Sequence, residues 1–202
     1  MRTLPLATLL CAIFGCLGCG SGPDLAPVAP KSYDPEGMAK SAIIQLDKNT
    51  NGTIEGPELD ACQGLKSSLA VIDENSDNKL SVAELKHRFE GYGSAGAVGY
   101  TLRITLDGKP LADAVVKLTP EPFMNGAVGE VTGKSDPDGA VNNYLVEGRE
   151  LPGLPSGVYR VAVTKDGESI PARFNTQTTL GCEVSAGGRG GSSGLDVKLT
   201  SK

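Results

Sequence analysis

The sequence predicts a multidomain chain, a small all-α unit followed by an all-β antiparallel sandwich. Three observations carry this expectation. Between Asp34 and Gly91 the apolar residues recur at helical spacing, with Ile43, Leu46, Leu59, Leu69, Ile72, Leu85 and Phe89 on buried faces. From Val98 onward the apolar residues alternate instead, clearly so in Tyr100-Thr101-Leu102-Arg103-Ile104-Thr105-Leu106 and in Val158-Tyr159-Arg160-Val161-Ala162-Val163. Between them, Gly91-Tyr92-Gly93-Ser94-Ala95-Gly96 breaks both patterns. The expected organisation is a leader over 1–19, a tether over 20–33, the helical unit over 34–91, a linker over 92–97 and the β unit over 98–202.

The chain has 202 residues and a net charge of −5. It has no Lys/Arg run, so no nucleic-acid partner is expected. A single histidine, His87, limits acid–base chemistry near neutral pH. Arg2 and the apolar stretch from Leu4 to Leu17 read as an export leader, too short to span a bilayer as a helix. The leader closes on Cys16-Leu17-Gly18-Cys19-Gly20. A cysteine after a small residue at that place resembles the lipobox of bacterial lipoproteins. The resemblance implies acylation of Cys19, with Cys16 as the alternative, and a lipid anchor in a membrane of the cell envelope. An ordinary secretory signal is the other reading. Gly20 to Lys31 then forms a Pro-rich spacer. Of five cysteines, only Cys62 and Cys182 fall in the two folded units, and two buried thiols are expected rather than a bridge.

The helical unit opens at Asp34-Pro35, a capping residue followed by proline at the first helical position. It contains two oxygen-rich loops starting 26 residues apart. The first is Asp47-Lys48-Asn49-Thr50-Asn51-Gly52-Thr53-Ile54-Glu55-Gly56-Pro57-Glu58; the second is Asp73-Glu74-Asn75-Ser76-Asp77-Asn78-Lys79-Leu80-Ser81-Val82-Ala83-Glu84. Both resemble the EF-hand family, whose twelve-residue loop offers a hard cation about seven oxygens. The resemblance implies calcium held by Asp47, Asn49, Asn51, the Thr53 carbonyl, Glu55 and Glu58 in loop one. In loop two it implies Asp73, Asn75, Asp77, the Lys79 carbonyl, Ser81 and Glu84. Ile54 is expected to pair with the other loop. Asn78 stands where the family has glycine, at a position needing positive φ, so the second site is expected to be weaker. With few carboxylates per loop, the expected affinity is roughly micromolar to millimolar. Asx-rich turns that never meet calcium are the alternative. Dockerin modules pair similar loops, but theirs commonly end in Asp and lead into a longer helix.

The β unit carries turn pairs at Asp107-Gly108, Asp138-Gly139 and Asp166-Gly167. It resembles the transthyretin-like, carboxypeptidase regulatory-like domains in Leu106 to Val116, Ser135-Asp136-Pro137-Asp138-Gly139, Leu154 to Val161 and Ile170 to Phe174. That resemblance implies a non-catalytic binding or spacer module. The fold also hosts a histidine-dependent hydrolase, but this unit has no histidine. Asp136 and Asp138 read as a turn. Ala186 to Gly194 lacks the Gly-Lys-Ser/Thr of a phosphate loop and reads as a hairpin loop between the last two strands.

These readings converge on a non-enzymatic, calcium-binding, lipid-anchored envelope protein on a periplasmic or outer face. Its expected partners are calcium, the membrane and an envelope protein or polysaccharide. The alternative is a calcium-stabilised carbohydrate- or protein-binding adhesin module, which exposed aromatics on the β unit would favour. A Ser/His/Asp set, a Cys/His pair and a transition-metal cluster are all missing from the sequence pattern.

Overall fold

The computed structural model describes residues 32–94, 96–186 and 194–202. The leader, Cys16, Cys19, nearly all of the tether and most of the glycine-rich stretch lie outside the described residues.

Short helices come first. The Asp34 carboxylate accepts from Gly37 N at 3.0 Å and starts α1 (Pro35–Leu46), with proline at its first turn. Helix α1 buries Met38, Ala39 and Ala42 and leaves Ile44 exposed. A short strand, β1 (Thr53–Glu55), leads into α2 (Pro57–Asp60), α3 (Gln63–Ser67) and α4 (Leu69–Ile72). Strand β2 (Lys79–Ser81) then opens α5 (Val82–Glu90). Helix α5 begins with a reciprocal capping box: the Ser81 hydroxyl accepts from Glu84 N, and the Glu84 carboxylate accepts from Ser81 N.

The remainder is mostly antiparallel sheet. The strands are β3 (Ala97–Val98), β4 (Thr101–Leu106), β5 (Lys109–Pro110), β6 (Val115–Pro120), β7 (Val131–Lys134), β8 (Ala140–Val141) and β9 (Tyr144–Val146). They continue as β10 (Arg149–Leu151), β11 (Leu154–Pro155), β12 (Gly157–Thr164), β13 (Leu180–Val184) and β14 (Gly194–Leu199). One sheet runs β10-β9-β7-β6-β12-β13, antiparallel throughout. A second runs β14-β4-β5, with β8 also on β4, and β3 pairs with β11. The alternation in sequence becomes alternation in burial: Val161 and Val163 face inward on β12 while Arg160 and Thr164 face out. Asp107 and Gly108, both at positive φ, make the β4–β5 turn.

Two expectations need correction. The second sheet is not wholly antiparallel, because β14 runs parallel to β4, with Gly194 opposite Thr101 and Leu199 opposite Leu106. The last two strands are also not a hairpin, since β13 pairs with β12 and β14 with β4. Both differences have one cause. Alternation in Leu195, Val197 and Leu199 says that a strand is half buried, but carries no information about its neighbour's direction.

The helical segment and the sheets contribute to one hydrophobic cluster, from Met38 and Leu65 through Val158 to Leu199. Helix α3 lies so close to the sheet that a Cβ on Gly64 would stand 2.8 Å from the Cys182 carbonyl oxygen. Phe89 stacks on Phe123 at 6.2 Å between centroids. The Tyr33 hydroxyl donates to the Ser156 carbonyl at 2.8 Å. Tyr92, in the stretch expected as a linker, is fully buried.

Candidate metal centre

Over their first seven positions the two loops share the same backbone-to-side-chain hydrogen bonds. In loop one the Asp47 carboxylate accepts from Asn51 N at 3.2 Å and Gly52 N at 2.8 Å, Asn49 Oδ1 from Asn51 N at 3.0 Å, and Asn51 Oδ1 from Thr53 N at 3.0 Å. In loop two Asp73 accepts from Asp77 N at 3.2 Å and Asn78 N at 2.7 Å, Asn75 Oδ1 from Asp77 N at 2.9 Å, and Asp77 Oδ1 from Lys79 N at 2.9 Å. Each pattern winds the chain around the side chains of loop positions one, three and five. The winding puts Thr50 and Gly52 of loop one, and the matching Ser76 and Asn78 of loop two, at positive φ. Asn78 takes φ +62°, as expected of a residue standing in for glycine.

Strands β1 and β2 bind the loops together, with Ile54 opposite Leu80, both fully buried. The same ladder sets Glu55 opposite Lys79. Lys79 Nζ lies 2.6 Å from Glu55 Oε2, and its hydrogen bond holds the Glu55 carboxyl below the usual range, helped by Asn51.

The closing glutamates are both buried but differ in their partners. Glu58 Oε1 accepts from Lys48 N at 2.7 Å and Asn49 N at 3.1 Å, and Oε2 from Glu55 N at 3.1 Å. It therefore reaches back to the start of its own loop. Glu84 Oε2 accepts from Ser81 N at 2.9 Å and from the Ser81 hydroxyl at 2.7 Å. Its Oε1 is buried with no hydrogen-bond partner. An unpartnered buried carboxylate oxygen is costly unless something positive faces it. Asp73 and Glu84 also line an open cleft of about 750 Å³, which they share with His87 and Arg88.

The structure thus gathers Asp47, Asn49, Asn51 and Glu58 by hydrogen bonds around loop one, and Asp73, Asn75 and Asp77 around loop two. Ser81 turns its hydroxyl to Glu84, and Glu55 is taken up by Lys79 and Asn51. Thr53 and Lys79 sit in the β1–β2 ladder. Among the described residues no three His, Cys, Asp or Glu side chains converge as a metal cluster. A cation here would rely on amide and carbonyl oxygens beside carboxylates, a donor set that suits a hard ion rather than a transition metal.

Elsewhere the chemistry is sparse. His87 is exposed, with Glu74 at 3.3 Å from Nε2 and Glu90 at 3.7 Å from Nδ1. Cys62 and Cys182 are free, buried thiols, each pushed up to about 12 by burial. Asp136 Oδ1 accepts from Asp138 N and Ala140 N, both at 2.9 Å, which is a turn. Tyr100, Phe123, Tyr144, Tyr159 and Phe174 are all buried.

Sequence reasoning missed two buried acids. Glu183 joins Arg88 and Tyr92, and Glu121 lies beside Arg160 and Cys62. The available signal was a lone charge between Cys182 and Val184 in an apolar strand.

Compared with known proteins, the chain matches no family model and no curated protein.

Proposed function

We propose that this chain is a calcium-binding, lipid-anchored protein of the cell envelope with a non-catalytic structural or interaction role. In this reading residues 34–91 form an EF-hand pair and residues 98–202 a transthyretin-like β-sandwich. The observation that carries it is the buried Glu84 Oε1 without a partner, at the closing position of a loop in which Asp73 and Asn75 already accept from Asp77 N. Calcium bound there supplies the positive charge that this oxygen lacks. Asp73, Asn75, Asp77 and Glu84 would hold it in loop two, with the Lys79 carbonyl and Ser81. Asp47, Asn49, Asn51 and Glu58 would hold it in loop one, with the Thr53 carbonyl and Glu55.

The anchoring half of the proposal rests on the sequence alone, through the apolar leader and Cys19, or Cys16. Among the described residues no helix is long and apolar enough to cross a membrane. The non-catalytic half is supported by the exposed, glutamate-flanked His87 and by thiols kept protonated by burial. A sugar-binding adhesin has less support, since the aromatics that would stack on a sugar are buried.

Thermal melts in calcium, in magnesium and in chelator test the proposal. Calcium should raise the melting temperature, and Glu58→Gln with Glu84→Gln should remove that rise. An equal rise in the double variant would place the ion elsewhere.

A further inference from the structure

The asymmetry between the loops extends beyond their closing glutamates. Both oxygens of Glu58 are filled by backbone N–H groups of its own loop. Both oxygens of Glu55 are filled as well, Oε1 by Asn51 Nδ2 at 2.7 Å and Oε2 by Lys79 Nζ at 2.6 Å. Loop two differs at both places. Its closing glutamate has a free oxygen, and its counterpart to Glu55 is the uncharged Ser81. Lys79 belongs to loop two, and the β1–β2 register sets it opposite Glu55.

We infer that Lys79 sets the affinity of loop one: its ammonium is a tethered cation that competes with calcium for Glu55, so loop two fills first. The inference rests on the reading that both loops take calcium. A divalent ion entering loop one must displace the ammonium or bear its repulsion, and either raises the calcium needed. Glycine preference alone suggests the opposite order, because loop two carries Asn78. Yet Asn78 N donates to Asp73 at 2.7 Å, as Gly52 N does to Asp47 at 2.8 Å, so the substitution leaves the loop two winding intact.

The test is calorimetric calcium titration of the full chain in detergent. Glu84→Gln isolates loop one. In that background Lys79→Gln should tighten loop one about three- to tenfold at low salt, with the gain shrinking as salt rises. Lys79→Arg keeps the charge and should not tighten it. A loop-one affinity unmoved by Lys79→Gln overturns the inference, and so does equal tightening by Lys79→Arg. If Glu84→Gln alone shows no binding, recovery on adding Lys79→Gln supports the inference and no recovery overturns it. A parent chain that gives no calcium heat removes the underlying reading instead.

Discussion

Arg88 grips Glu183 with two hydrogen bonds, Nε to Oε1 at 2.6 Å and Nη2 to Oε2 at 3.0 Å. The Tyr92 hydroxyl donates to the same carboxylate at 2.5 Å. The side chains of Arg88 and Glu183 are only 11% and 3% exposed, so this junction between α5 and β13 is shielded from water. Glu84 lies one helical turn before Arg88 on the same helix, which connects loop two to the six-stranded sheet through a single rigid element.

Arg88→Met should therefore destabilise the protein by about 3–5 kcal/mol, because it strands a buried carboxylate. Adding Glu183→Leu should recover much of that loss, since the cost lies in the unpaired charge. Denaturant unfolding of the single and double variants checks both values.

Gly64→Ala should cost about 1–3 kcal/mol by overpacking. The new methyl would stand 2.6 Å from Val158 Cγ1 and 2.8 Å from the Cys182 carbonyl oxygen. Gly52 has no heavy atom within 4 Å of such a methyl but lies at φ +87°, so Gly52→Ala tests backbone strain instead of crowding. Thermal melts compare the two.

Burial raises the Glu121 carboxyl above its ordinary 4.5, against the opposing charge of Arg160, whose Nε is 3.5 Å away, and a hydrogen bond from Cys62. A raised carboxyl gives stability that is complete below the unfolded value and is lost as pH rises through the folded one. The ionised group is thus a cost at pH 7. Glu121→Gln should raise the melting temperature there, with the gain vanishing toward pH 4. A lower melting temperature at pH 7 would mean that the Arg160 pairing outweighs the burial cost.

Cys62 and Cys182 should resist thiol reagents at pH 8 until the chain unfolds. Both are buried, and burial pushes each up to about 12, so the reactive thiolate is scarce in the native state. Peptide-resolved mass spectrometry after labelling, with and without denaturant, measures this.

Much of the candidate site was legible because it is local. The loop pattern places its side chains by spacing alone, and the Asp34-Pro35 start, the pairing of Ile54 with the other loop and the positive φ of Asn78 all appear where the sequence places them. What could not be read is long-range. The parallel seating of β14 on β4 leaves no mark in the alternation of either strand. The burial of Tyr92, in a stretch that reads as linker, depends on an acid 91 residues further on. The difference between Glu58 and Glu84 lies in which N–H groups each one meets, and both residues occupy the same place in the motif.

Calorimetric titration of the full chain measures whether the two loops hold calcium. Two binding events of unequal affinity are expected, the tighter one lost in Glu84→Gln. A flat titration, or two events untouched by Glu84→Gln, would contradict calcium binding by the two loops.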